Sequence, residues 1–327
     1  MRVYRCRVCE HPLYAENSRC VSCGSALGFS REERAIVPVD DAGRYVDADG
    51  RTWHPCANHD LAACTWLAEA PGALCSCCVL TRTRPADDDA VGLAQLVEAE
   101  RAKRHLLVEL DGLGVDVSGL QFDLLSSVDE NVVIGHADGL ITIDLAESDD
   151  AHRERVRAQL GEPYRTMLGH VRHEVGHFVQ WRLVGTEGPT AERCRALFGD
   201  ERADYQAAID RHYADGPPSD WAEHHISTYA TMHPFEDFAE TWAHLLHVVD
   251  TVETAREHGL VEGDAAAPVV TTPFRDVVVG TWVPLSIALN QINRSMGKDD
   301  LYPFVIPAPV LDKLDFVAGL VVSPPSS

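Results

Sequence analysis

The chain has 327 residues, of which 45% are hydrophobic and 24% are charged, a balance that is typical of globular proteins and excludes a disordered or collagen-like chain. Its formal net charge of −23 argues against binding of nucleic acid by the surface as a whole. Apolar runs stay well short of the roughly 20 residues needed to cross a bilayer, and the N-terminus lacks the apolar core of a secretory signal. We therefore expect a cytoplasmic protein without membrane contact.

The charge and the cysteines are both distributed unevenly along the chain. Residues 1–85 contain ten arginines and ten acidic residues, so the whole negative excess lies in residues 86–327. Nine of the ten cysteines also precede residue 79. In a cytoplasmic protein, cysteines at short spacings more often bind metal than form disulfides. The two compositions predict two modules, one over 1–85 and a second over 86–327.

The first cysteine set consists of two Cys-x-x-Cys pairs, Cys6 with Cys9 and Cys20 with Cys23. Each pair can form a turn whose backbone N–H groups point at the sulfur atoms, and two such turns supply the four thiolates of a tetrahedral zinc site. A segment this short cannot bury a core of its own, so bound metal would provide most of its folding energy.

A second cysteine set follows within the same region and predicts another structural zinc site. Its members are Cys56, Cys64, Cys75 and Cys78. Cys77 could replace Cys78, although only Cys78 keeps the two-residue gap after Cys75, and His59 could replace either early cysteine. Between the two sets, residues 39–53 contain Ala-Gly and Asp-Gly turn signals that predict short hairpins.

Beyond a polar linker at 81–89, helical patterns dominate. Residues 131–147 are expected to form two strands around an Ala-Asp-Gly turn. Helical periodicity covers 90–111, 149–160, 163–184, 190–198, 201–214, 234–257, 272–295 and 307–321. The sequence therefore predicts an α+β protein, in which zinc-ribbon modules precede a mainly helical domain with a small β-sheet.

The motif His-Glu-Val-Gly-His, residues 173–177, is the sharpest chemical signal in the second domain. On a helix, His173 and His177 share one face, so both imidazoles can reach a single Zn²⁺. Glu174 is offset from His173 by about 100°, which directs its carboxylate toward an attacking water rather than the metal. The spacing predicts a hydrolytic zinc site that needs a third protein ligand.

The helix predicted at 234–257 offers that ligand. Glu236 and Glu240 lie on one of its faces together with His244 and His247, beside large apolar residues. Two acidic residues and two histidines next to large apolar residues favour a buried site over a solvent-exposed helix edge. Glu236, Asp237 and Glu240 remain open as candidates for the third ligand at this point.

An HExxH helix followed by a Glu-x-Phe-Ala-Glu helix resembles the gluzincin metallopeptidases. The resemblance implies that His173, His177 and Glu236 bind a catalytic zinc ion and that Glu174 is the general base. It also implies that Glu240 accepts a hydrogen bond from a ligand imidazole and that Tyr229 donates one to the oxyanion.

The combination of paired cysteine turns with the segments HPCANHDLAACTWL, RHEVGHFVQWRL, FGDERADY and YATMHPFEDFAETWAHLLHVVDT resembles the zinc-binding metallopeptidases with an N-terminal zinc ribbon. The members of this bacterial family are named for the motif, and the name implies no substrate. From the site residues we expect a zinc-dependent peptidase or amidase that acts on a peptide or protein substrate, and the HExxH site and the two cysteine sets predict one catalytic and two structural zinc ions. The acidic segment at 198–205 is interpreted as a helix cap rather than a catalytic element.

The alternative hypothesis is an adaptor protein. In that case the ribbons would bind a protein partner, and the helical domain would be catalytically silent. The intact Glu174 argues against it, because zinc binding alone does not require this carboxylate.

Overall fold

The computed structural model describes residues 3–126, 135–148, 166–264, 267–271 and 273–322. The helix expected at 149–160, and residues 131–134 of the expected strand pair, lie outside the described residues. The chain divides into two compact units, with the boundary inside the helix that carries the HExxH motif, between Val171 and Arg172. Among the described helices, none is both long and apolar enough to span a membrane.

The cysteine-rich part of the first unit is built from short antiparallel hairpins. Its strands are β1 (Tyr4–Arg5), β2 (Pro12–Leu13), β3 (Leu27–Ser30), β4 (Ala35–Pro38), β5 (Tyr45–Val46), β6 (Thr52–Pro55) and β7 (Leu67–Ala68). Strands β1 and β2 pair, β3 and β4 pair, and β5, β6 and β7 form a three-stranded sheet. The β5–β6 hairpin confirms the turn predicted in this segment. Val37, Trp53 and Leu67 form a small core across these strands.

A four-stranded sheet and one long helix complete the first unit. The sheet has the order β10-β11-β9-β8, formed by Gly135–Ala137, Leu140–Asp144, Gln121–Leu125 and Thr81–Thr83 in that order. Strands β10 and β11 form the predicted antiparallel hairpin, whose turn residues Asp138 and Gly139 both have positive φ. Helix α1 (Ala90–Leu113) packs on this sheet, with Lys103 Nζ lying 5.5 Å from the centre of the Phe122 ring.

The second unit is helical. Its helices of ten or more residues, among the described residues, are α2 (Met167–Val179, which begins in the first unit), α3 (Pro189–Phe198), α4 (Tyr205–Asp215), α5 (Pro234–Glu257), α6 (Val283–Ser295) and α7 (Ala308–Val322). Helix α5 lies in the core, where Phe238 and Trp242 are fully buried. The ring of Phe198 packs between Phe238 of α5 and Phe316 of α7. The predicted α+β class, with a ribbon region followed by a helical domain, is confirmed.

Helix ends differ from the prediction where side chains cap them. Helix α4 begins at Tyr205 rather than 201, because the carboxylate of Asp204 accepts a hydrogen bond from the backbone N–H of Ala207 and caps the helix. Asp200 and Glu201 instead pair with nearby arginines, Arg202 and Arg195. The capping interpretation of this acidic segment is therefore confirmed at Asp204.

Candidate metal centres

The first cysteine set lies in the turn between β1 and β2 and in the loop between β2 and β3, and all four sulfur atoms fall within 4.8 Å of one another. The sulfurs of Cys6 and Cys23 are 3.7 Å apart, as are those of Cys9 and Cys20. Four thiolates at about 2.3 Å from one Zn²⁺ are separated by roughly 3.8 Å in a tetrahedron, whereas disulfide sulfurs are about 2.0 Å apart. This set therefore fits zinc.

The second set brings together the sulfurs of Cys56, Cys64, Cys75 and Cys78. The sulfur of Cys64 is 3.7 Å from that of Cys75 and 3.6 Å from that of Cys78, which again matches tetrahedral thiolate ligation. The two substitutes considered from the sequence lie outside the group. Cys77 is fully buried beside it, and His59 is exposed and pairs with Asp60.

Helix α2 presents the HExxH motif, and it crosses α5 at an unusually short distance. A Cβ added at Gly176 would lie 2.8 Å from the Cα of Ala239, so only glycine allows the two backbones to approach this closely. The crossing places the imidazoles of His173 and His177, whose ring centres are 5.1 Å apart, against the acidic start of α5. Packing between two helices thus builds the site.

Glu236 is the carboxylate that meets both imidazoles. Its Oε2 lies 2.9 Å from Nε2 of His173 and 3.6 Å from Nε2 of His177, and the three donor groups lie within 4.8 Å of one another. Glu240 lies on the other side of the His173 ring, where Nδ1 donates to its Oε1 at 2.7 Å. Asp237 points elsewhere and pairs with Lys313 at 2.6 Å. The geometry favours Glu236 over the other two acids as the third ligand.

Electrostatics at this point favour positive charge. Burial alone would lower the pKa of His173, but the hydrogen bonds and charges of Glu236 and Glu240 raise it well above its ordinary value. Burial likewise opposes ionisation of Glu236, yet the charge of His177 and the hydrogen bond from His173 hold its pKa well below the ordinary range. A buried, ionised carboxylate between two imidazoles is a donor set that suits Zn²⁺.

Glu174 and Tyr229 lie beside this donor set. Tyr229 lies in a short helical turn, Tyr229–Thr231, and its ring centre is 5.7 Å from that of His173. Burial raises the pKa of Tyr229 well above its ordinary value, and the charges of Glu236, Tyr205 and Glu174 add to the effect. The phenol therefore keeps its proton and can donate it in a hydrogen bond.

Two side chains that the sequence did not single out also hold the site. The hydroxyl of Tyr205 donates to Oε1 of Glu236 at 2.8 Å. The hydroxyl of Ser227 donates to Oε2 of Glu240 at 2.7 Å and accepts from the backbone N–H of Ala230, next to Tyr229. A tyrosine directly after a helix-capping aspartate carries no local signal for such a role, since its partner lies in another helix.

Comparison with known proteins gives matches over almost the whole chain. A family model described as "Putative zinc-binding metallo-peptidase" matches residues 93–320, and one described as "zinc-ribbon domain" matches residues 3–89. Uncharacterized protein Rv2568c of Mycobacterium tuberculosis (H37Rv) and uncharacterized protein Mb2598c of Mycobacterium bovis are each 47% identical to the chain. Both alignments cover 98% of this chain and 95% of the relative. No solved structure matches it significantly.

Proposed function

Since the chain belongs to the family of zinc-binding metallopeptidases and carries an N-terminal zinc-ribbon domain, we propose that it is a gluzincin-type hydrolase that cleaves peptide or amide bonds. The matches confirm the predicted zinc-binding metallopeptidase domain and the predicted ribbon. The ligand set, the base and the oxyanion donor extend that conclusion and are part of the proposal.

The observation that carries the proposal is the convergence of His173, His177 and Glu236 from two helices onto one point. Zinc held there would supply Lewis-acid chemistry, acidifying the attacking water and polarising the scissile carbonyl. Glu174 would take the proton from the water and pass it to the leaving amine. Tyr229 would donate a hydrogen bond to the oxygen on which negative charge develops.

Glu240 has a supporting role in this proposal. Its carboxylate accepts the Nδ1–H of His173, which fixes the ring so that Nε2 faces Glu236. A carboxylate behind a ligand histidine sets the tautomer and raises the basicity of the other ring nitrogen. His173 is thereby oriented for metal binding before substrate arrives.

The two cysteine sets would each hold a structural zinc ion, which gives three zinc ions per chain in this proposal. We assign residues 1–85 to the ribbon region and 86–327 to the peptidase domain. Peptide or protein substrates follow from the family, and the ribbons provide a surface for a protein partner.

The test compares wild type with the variant Glu174→Gln. The control variant is Glu192→Gln, which makes the same substitution at an exposed position. Cleavage of a mixed peptide library is followed by mass spectrometry, and zinc per chain is measured on the same samples. We expect Glu174→Gln to keep its zinc and to lose activity by about 10²–10⁴-fold, the usual contribution of a general base, while Glu192→Gln stays at the wild-type rate.

Equal cleavage rates in wild type and Glu174→Gln would contradict the assigned base. If the zinc-loaded wild type cleaves none of the library, the result supports the adaptor hypothesis instead.

A further inference from the structure

Tyr205 occupies a position that neither core packing nor helix capping explains. It is the first residue of α4, directly after the capping residue Asp204. Its side chain is 40% exposed overall, yet its hydroxyl reaches a carboxylate that is only 2% exposed. The hydroxyl of a tyrosine usually has a hydrogen-bond partner where it leaves water, and here that partner is the buried carboxylate of Glu236.

The start of α4 is tied to the start of α5 at two points. Besides the bond from Tyr205 to Glu236, Nε2 of His233 donates to the carbonyl of Ala203 at 3.1 Å. His233 also caps α5, accepting at Nδ1 from the backbone N–H of Phe235, and its ring lies edge-on to that of Tyr205 at 5.1 Å. The hydroxyl of Tyr205 is therefore held in register with the first turn of α5.

The two oxygens of Glu236 have separate partners. Oε2 faces the two imidazoles, at 2.9 Å from His173 and 3.6 Å from His177. Oε1 accepts from Tyr205 at 2.8 Å. A carboxylate free to rotate about its last bond could turn either oxygen, or both, toward a metal. The tyrosine hydroxyl removes that freedom and leaves one oxygen directed at the imidazoles.

We propose that Tyr205 is a positioning residue for the catalytic metal, which holds Glu236 so that only Oε2 is offered as a ligand. This inference rests on the proposed function. Loss of such a partner of a metal ligand typically weakens metal binding by about 10–100-fold.

The experiment measures zinc retained per chain across a series of chelator concentrations, using the full-length protein. His177→Ala identifies the fraction of zinc that belongs to this site. The test variant is Tyr205→Phe, which removes only the hydroxyl. Tyr213→Phe is the matched control, because Tyr213 lies on the same helix and is 63% exposed. Circular dichroism of each variant reports that the helical unit, which contains Tyr205, is folded.

We expect Tyr205→Phe to release the zinc of this site at about 10–100-fold lower chelator concentration than wild type, and Tyr213→Phe to match wild type. In the Glu236→Ala background, Tyr205→Phe should have no further effect, because the tyrosine acts through that carboxylate. Tyr229→Phe should retain zinc normally and lower kcat.

Unchanged zinc affinity in Tyr205→Phe would overturn the inference, and would assign the hydroxyl to substrate if kcat/KM fell as it does in Tyr229→Phe. The comparison of His177→Ala with wild type tests the proposed function itself. If His177→Ala and wild type hold the same amount of zinc at every chelator concentration, the HExxH helix does not bind the metal.

Discussion

The two cysteine clusters of the first unit have the same ligands and nearly the same sulfur separations, but their surroundings differ. In the first cluster, Cys9 and Cys23 are exposed to solvent. A hydrogen bond from the hydroxyl of Ser25 lowers the pKa of the Cys23 thiol to about 6. The first cluster is a peripheral site in the fold of the first unit.

The second cluster lies in the core, with all four of its cysteines buried and a fifth, Cys77, beside them. Helix α1 adds ionised groups to the same region. Glu100 and Lys103 are each 1% exposed and form an ion pair at 2.8 Å, and Oε2 of Glu100 lies 3.8 Å from the sulfur of Cys78. Burial lowers the pKa of Lys103, but Glu100 and the thiols of Cys77 and Cys78 outweigh it and raise the pKa.

The two clusters show that the same cysteine motif can contribute very differently to the stability of a fold. Metal in the first cluster organises two turns at the edge of the unit. Metal in the second cluster would set the charge against which α1 packs, because Lys103 lies between a carboxylate and a group of thiolates. Removing a ligand should therefore have a local effect in the first cluster and a global effect in the second.

The largest expected effect is the comparison of Cys75→Ser with Cys9→Ser. Structural zinc typically contributes about 10–16 kcal/mol in small zinc domains, which rivals the 5–15 kcal/mol that holds a whole domain folded. We expect Cys75→Ser to lack the cooperative unfolding transition of the first unit, and Cys9→Ser to lose one zinc per chain while it keeps that transition. Zinc analysis and thermal unfolding followed by circular dichroism measure both.

Loss of the cooperative transition in both variants would contradict the peripheral role of the first cluster. Retention of it in both would contradict the central role of the second.

A smaller effect is expected from Lys103→Met. The matched control is Arg101→Met, because Arg101 lies on the same helix α1 but on its exposed surface. Lys103 is buried and neutralises Glu100, so its removal leaves a buried carboxylate beside the thiolates. Removing one partner of a buried ion pair usually costs about 3–5 kcal/mol. Arg101 is 59% exposed and pairs with Glu98 at 3.5 Å, so its loss should cost less than about 0.5 kcal/mol.

The free energy of unfolding in urea, measured with zinc in excess, separates the two variants. If Lys103→Met is as stable as Arg101→Met, then the charge of Lys103 does not contribute to the stability of the second cluster and its helix.

The features that the sequence predicted are those whose partners lie close in the chain. A Cys-x-x-Cys turn and an HExxH helix are defined by local geometry, so spacing alone identified Cys6, Cys9, His173 and His177 as members of two groups. The hairpin at Asp138 and Gly139 was predictable for the same reason, since its turn residues follow directly on alternating strands.

The features that it did not predict depend on contacts between distant elements. Tyr205 meets Glu236 across 31 positions of sequence, and Ser227 meets Glu240 from a loop. Periodicity also places charged residues on a helix surface, whereas Lys103 and Arg104 of α1 are buried. For Arg104 the pattern within α1 does not reveal this, because its partners are Glu16 and the carbonyl of Ala62 in the ribbon region. Lys103 instead pairs with Glu100 one turn away on α1 and donates to Thr81 of β8.

The smallest effect is expected from two arginines that hold the ribbon strands to their neighbours. Arg31 donates to both oxygens of Asp111 on α1 at 2.7 Å, and these side chains are 25% and 19% exposed. Because a two-bond arginine–carboxylate pair is stronger than a single contact, Arg31→Ala should cost about 1–2 kcal/mol.

Arg7, between two ligands of the first cluster, donates to Glu33 at 2.6 Å but is 42% exposed, so Arg7→Ala should cost at most about 1 kcal/mol.

A hydrogen bond from Tyr45 and the charge of Arg7 outweigh burial and lower the pKa of Glu33. A carboxyl whose pKa is lower in the folded state stabilises the fold above its unfolded pKa, and this contribution disappears as the pH falls through the folded pKa. The stability difference between wild type and Arg7→Ala should therefore be present at pH 7 and shrink below about pH 4.5. Urea unfolding of both proteins across this range measures it, and acid release of zinc affects both alike because they share the same cysteines. A cost for Arg7→Ala that equals the cost for Arg31→Ala would contradict the difference expected from the greater exposure and the weaker pairing of Arg7.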